Sequence, residues 1–115
     1  MRNNFTPAQK AKIMAARAFV KNYQGQDLLY NIVVIIGPSL FGSFFYSNSD
    51  TVWSRVEKPG RFQLTEMMIL TNILDITMEQ LINILDHQMR HNDFEVLNHR
   101  PIGRVKYQQD EKELL

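Results

Sequence analysis

The chain has 115 residues, enough for one domain with its own core and too few for two of ordinary size. It contains no cysteine, which excludes disulfides and thiolate metal sites, and a net charge of +1 identifies no partner. The distribution of charge says more. Residues 1–26 hold Arg2, Lys10, Lys12, Arg17 and Lys21 and no acid, whereas residues 63–95 hold Glu66, Asp75, Glu79, Asp86, Asp93 and Glu95 against Arg90 alone; this pattern fits either a face that meets a polyanion or solvated helix faces that differ by chance.

Thr6-Pro7 reads as an N-cap followed by proline at the first helical position, and residues 8–23 then run without glycine or proline. Ala11, Ala15, Ala18, Phe19 and Tyr23 make the expected apolar stripe of this first helix, which Gly25 ends. Asp27 is placed to cap a second helix over residues 28–36. Its run IVVII would suit a buried strand equally well, but no other segment offers a partner strand. Gly37-Pro38 ends it, and Ser39 is read as the cap of a short third helix with Leu40, Phe41, Phe44 and Phe45 at helical spacing. Tyr46-Ser47-Asn48 is a turn, and Ser49 or Asp50 caps a fourth helix over residues 51–57, stopped by Pro59-Gly60. A fifth helix over 65–74 carries Ile69, Leu70, Ile73 and Leu74, and Asp75-Ile76-Thr77 breaks it. Thr77 and Gln80 form a capping box for a last helix with the stripe Met78, Leu81, Ile82, Leu85. Apolar periodicity fades from Arg90, so the remainder reads as an arm or tail. The longest apolar run, residues 32–36, is far short of the ~20 residues a membrane span needs, and MRNNFTPAQK shows no apolar stretch after its charges. A soluble, cytoplasmic, all-α protein is expected, with no membrane partner.

Two short helices joined by a tight turn, such as residues 39–57, need a small residue where they cross and apolar anchors on the inner side of the second helix. The opposite side then faces out, free to enter a groove. Ser43 is assigned as the small residue and Trp53 and Val56 as the anchors. Asp50, Thr51, Ser54 and Arg55 then face outward.

The block SDTVWSRVEKPGRFQLTEMMILTNILDITMEQLINIL resembles the second half of the phage repressor/Cro-type helix-turn-helix domain, with its proline-glycine turn after the recognition helix and its closing β-branched, Ser/Thr, x-Glu-x-Leu pattern. The resemblance covers residues 27–85 and is closest over 51–85. In that alignment Gly42 stands where the family has an apolar residue, Ser47 where it has the turn glycine, and Asn48 where the next place is usually apolar. The resemblance implies a compact bundle of short helices divided into an N-terminal helical extension (1–25), a helix-turn-helix domain (26–90) and a C-terminal arm or tail (91–115). It implies sequence-specific binding of double-stranded DNA by a small transcriptional regulator, phage- or mobile-element-derived, acting as a homodimer. Asp50, Thr51, Ser54 and Arg55 would touch base edges, with Arg55 bidentate to guanine and Asp50 either accepting from cytosine or merely capping the helix. Ser39, Ser49, Lys58 and Arg61 would touch phosphate, the last two alternatively lying in a solvated loop. Lys10, Lys12 and Arg17 either add phosphate contacts or form an ordinary exposed face. The alternative reading keeps the helix-turn-helix scaffold as a protein–protein interaction module without DNA binding.

No catalytic arrangement emerges. His87 and His91 share a helix face at i, i+4 with Asp86 beside them, but the glutamate of a zinc-protease motif is missing, and two exposed histidines near a helix end need no metal. GPSLFG lacks the Lys-Ser/Thr of a nucleotide loop, and the aromatics of LFGSFFY have core spacing. No enzyme, cofactor, metal site or small-molecule substrate is expected.

Overall fold

The computed structural model describes residues 4–22 and 28–99, with 94–99 as backbone. Among the described residues there are six α-helices: α1 (Pro7–Asn22), α2 (Leu29–Ile36), α3 (Pro38–Ser43), α4 (Ser49–Glu57), α5 (Leu64–Leu74) and α6 (Met78–His99). A 3-10 turn, Pro59–Arg61, links α4 to α5. No strand occurs among the described residues, so the ambiguous IVVII run is helical.

α2 is the axle of the fold. Its Leu29, Ile32, Val33 and Ile36 are all buried, and α1, α3, α4 and α6 pack around it. An aromatic cluster fills one end of the core, with Phe41, Phe44 and Phe45 packed in mostly edge-on pairs, Phe5 meeting Phe44 and Phe62 meeting Phe45. Edge-to-face pairs add about 0.5–1.5 kcal/mol beyond their buried area. Phe41, Phe44 and Phe45 thus belong to the core, as their spacing implied, whereas Tyr46 of the same run is exposed.

Helix α1 shares that core. Its buried stripe is Ile13, Ala16 and Val20, with Phe19 partly covered. The stripe expected from its alanines is therefore turned away, and Ala11, Ala15 and Ala18 are exposed. Three larger or better-placed side chains at i, i+3 and i+7 bury more apolar area than a row of methyl groups. Arg17 crosses to α5, where its Nε donates to the Ile73 carbonyl at 2.7 Å. The division at residue 25 thus does not separate two cores. Tyr23, Gly25 and Asp27 lie outside the described residues.

Helix starts follow the chemistry of unpaired amides. Thr6 and Gln9 form a reciprocal capping box (3.0 and 3.1 Å), as do Thr77 and Gln80 (2.8 and 3.1 Å). α3 begins earlier than expected. Gly37, at φ +94°, donates its N–H to Val33 at 2.7 Å and so closes α2, while Pro38 opens α3 and Ser39 lies inside its first turn. α4 is capped by Asn48, whose side chain accepts from the Thr51 N–H at 2.9 Å, rather than by Ser49 or Asp50. Asp75 adopts the left-handed conformation that ends α5.

α6 passes Arg90 and continues to His99, into the segment read as an arm. Its buried side chains are Leu81, Ile84, Leu85 and Gln88, while Ile82 is exposed. The last sixteen positions, residues 100–115, fall outside the described residues. Among the described residues no single helix is long and apolar enough to cross a membrane.

Candidate functional site

The turn between α3 and α4 is tight because two backbones meet there. Gly42 is fully packed: a Cβ built on it would lie 2.7 Å from the Ser47 carbonyl and 3.1 Å from Val52 Cγ2. The Ser47 N–H donates to the Gly42 carbonyl at 2.9 Å. Gly42, not Ser43, is therefore the small residue at the crossing. Ser43 turns its hydroxyl back to the Leu40 carbonyl at 2.6 Å. The left-handed residue of the turn is Tyr46, at φ +58°, not Ser47.

On α4 the inward positions are Val52 and Val56, at i and i+4, both buried. Trp53 is partly buried on the flank, its indole 5.8 Å from the Tyr30 ring. Val56 is thus an anchor as expected, but the other anchor is displaced by one position: Val52, not Trp53, is the core plug, and the indole packs beside Tyr30 of α2. With valines inside, the polar residues of α4 are turned out together.

They converge on one shallow, open hollow of about 570 Å³ lined by Asn48, Asp50, Thr51, Ser54, Arg55 and Arg61. All four side chains expected at base edges lie there, joined by Arg61 from the 3-10 turn. Asn48 and Asp50 are exposed at its α4 N-terminal end, Arg61 is exposed at the other border, and Thr51 and Ser54 are half-buried between them. Ser39, Ser49 and Lys58 are not part of the hollow. Ser39 is exposed in the first turn of α3, Ser49 is the half-buried first residue of α4, and Lys58 is exposed where α4 ends.

Arg55 differs most from expectation. It is not a free outward guanidinium. It forms an ion pair with Glu66 of α5, with 17% and 12% of the two side chains exposed, and its guanidinium carbon sits 5.4 Å from the centre of the Phe62 ring. Glu66 also accepts the Gln63 N–H at 2.9 Å, closing the capping box of α5. The first turn of α5 thus brings a carboxylate, and Phe62 just before it an aromatic face, to the one cation of α4, and charge-assisted pairing with cation–π stacking holds it.

A second polar device fixes the far end of α4. Gln88, 2% exposed, accepts the Tyr30 N–H of α2 at 2.8 Å and donates to Asn92 at 2.9 Å. Asn92 donates in turn to the Val56 and Glu57 carbonyls, at 2.9 and 3.0 Å. One relay on α6 therefore satisfies an open amide at the start of α2 and the open carbonyls at the end of α4.

Glu66, Gln88 and Asn92 were given no structural role in the sequence, and Asn48 was read as part of the turn and not as the cap. The run Ser47-Asn48-Ser49-Asp50 offers four adjacent capping residues, and nothing local ranks them. Of the other candidates, Lys10 and Lys12 are exposed, whereas Arg17 is engaged with α5. His91 is exposed and His87 half-buried, and no group of three metal-ligating side chains gathers among the described residues. Comparisons with protein-family models, with curated proteins and with solved structures find no match to this chain.

Proposed function

We propose that this protein is a small helix-turn-helix regulator that binds double-stranded DNA as a homodimer, with α4 as the helix that enters the major groove. The observation that carries the reading is the hollow: the outward side chains of α4 and Arg61 form one open, polar, cation-bordered surface beside a tight α3–α4 turn. Gly42 at the crossing and a left-handed residue in the turn are the two features such a unit needs, and both occur one residue earlier than the alignment suggested. In this reading Asn48, Asp50, Thr51 and Ser54 address base edges, and Arg61 and Lys58 address phosphate. Ser39 and Ser49, at the starts of α3 and α4, add phosphate contacts through their hydroxyls. Two copies double a contact surface too short to specify a site alone.

The second reading, a protein–protein interaction module on the same scaffold, is favoured by one observation. Arg55 is tied to Glu66, which leaves Arg61 as the exposed cation on the hollow.

Titration of a mixed-sequence duplex at rising salt separates the two. A DNA binder loses affinity steeply, with a log–log slope of about −0.9 per phosphate contact. Arg61→Ala should weaken all sequences alike and reduce that slope by about one. Absence of binding at low salt would remove the first reading and leave the second.

A further inference from the structure

Arg55 stands in the wall of the hollow, and its partner Glu66 is not among the lining residues. Arg55 lines the hollow, yet its charge is spent on a carboxylate of the neighbouring helix and its plane lies over Phe62. Glu66 is already occupied without Arg55, because it caps α5 by accepting the Gln63 N–H. The capping role works as well with glutamine at that position as with glutamate. The negative charge of Glu66 is therefore surplus to the cap, and its remaining partner is Arg55.

We propose that this pair is a latch on the nucleic-acid surface. Glu66 holds the Arg55 guanidinium against Phe62 in the free protein, and a phosphodiester seated in the hollow takes the guanidinium over. The inference rests on the DNA-binding reading and adds its regulation. Phosphate presents the same planar pair of acceptor oxygens to a guanidinium as a carboxylate does, so it is a direct competitor. Phe62 is buried and stays in place, giving the guanidinium a fixed platform from which only the anion partner changes. Arg55 is then a conditional contact: an apolar or cationic partner has nothing to exchange for Glu66, whereas a correctly placed phosphate does. The wild-type chain accordingly binds more weakly than its surface cations allow.

The test uses the full chain and a mixed-sequence duplex. Glu66→Gln keeps an acceptor for the α5 cap and removes the charge that holds Arg55. The latch predicts that Glu66→Gln raises duplex affinity roughly five- to tenfold near 0.1 M salt and steepens the salt slope by about one contact. It also predicts that Arg55→Ala in the same chain abolishes the gain, and that Arg55 reacts faster with an arginine-selective dicarbonyl in Glu66→Gln than in the wild type. A gain that survives Arg55→Ala would be a plain charge effect and would overturn the latch. So would wild-type duplex binding accompanied by an unchanged affinity in a folded Glu66→Gln chain. If Glu66→Gln does not fold, the wild type decides: the Arg55 side-chain NMR signals must shift as duplex is added, and signals that stay put overturn the latch while leaving DNA binding intact. If neither chain binds duplex at low salt, the DNA-binding reading fails and the latch falls with it.

Discussion

At the scale of single residues, the α3–α4 turn rests on a missing side chain. Gly42 has the Ser47 carbonyl where its Cβ would be, and a backbone oxygen at 2.7 Å cannot swing aside as a flexible side chain would. Gly42→Ala must push the turn off α3, and overpacking of this kind costs about 1–3 kcal/mol. Gly60 provides the contrast, since nothing lies within 4 Å of the corresponding position. Urea unfolding should therefore show a clear drop in midpoint for Gly42→Ala and a change within about 0.5 kcal/mol for Gly60→Ala. The sequence pointed to this crossing but to the wrong member of it. Gly42 and Ser43 are adjacent and both small, so helical spacing cannot rank them; only the approach of another backbone does. Tyr46 is less legible still. A bulky aromatic at φ +58° runs against local preference, and Tyr46 stands between Phe44 and Phe45, which pack in the core, and Asn48, which caps α4.

At the scale of elements, α6 explains why part of the fold was hidden. Its inner stripe runs Leu81, Ile84, Leu85, Gln88, Asn92, which is helical spacing throughout, but the last two are amides. A pattern read by hydrophobicity stops at Leu85, and the helix looked finished near Arg90. The amides occupy inner positions because they face helix ends, where open N–H and C=O groups require partners. The two residues carry different loads. Gln88→Ala would leave the partly buried Tyr30 N–H without its acceptor and is expected to cost about 1–3 kcal/mol. Asn92→Ala frees the carbonyls of Val56 and Glu57 and also leaves the buried Gln88 amide N–H without its acceptor, so a loss of about 1–3 kcal/mol is expected here too. Hydrogen exchange discriminates the sites: Asn92→Ala should accelerate the last amides of α4 and leave the first turn of α2 protected, whereas Gln88→Ala should expose both. Equal effects at both helices from Asn92→Ala would mean that the relay does not act as two separate caps.

At the scale of the whole molecule, the decisive element is α1, which sequence reasoning set apart as an extension. Its N-cap and its helical character were readable from Thr6 and Pro7, yet the apolar stripe expected of it ran through Ala11, Ala15 and Ala18. The buried side chains are instead Ile13, Ala16 and Val20, laid across α2, while Arg17 bonds to the end of α5. A resemblance that begins near residue 27 gives no reason to expect this, because the motif contains no such helix; the need for α1 lies in α2. That helix is apolar almost all round, and a helix of that kind must be covered on every side that can be covered. Even with α1 in place, Tyr30 and Val34 remain half exposed. Removing α1 would expose more of α2 and forfeit the burial of Ile13 and Val20, each worth about 1.5–3 kcal/mol. Domains of this size hold a net stability of about 5–15 kcal/mol, so that combined loss takes much or all of the margin. A chain beginning at residue 26 is therefore expected to lose its cooperative urea transition and its fixed aromatic environment by near-ultraviolet circular dichroism, and to lose duplex binding with them. A shortened chain that unfolds in one sharp transition at a midpoint close to that of the full protein would restore the view of α1 as an appendage, and would return residues 26–90 to the status of a self-sufficient unit.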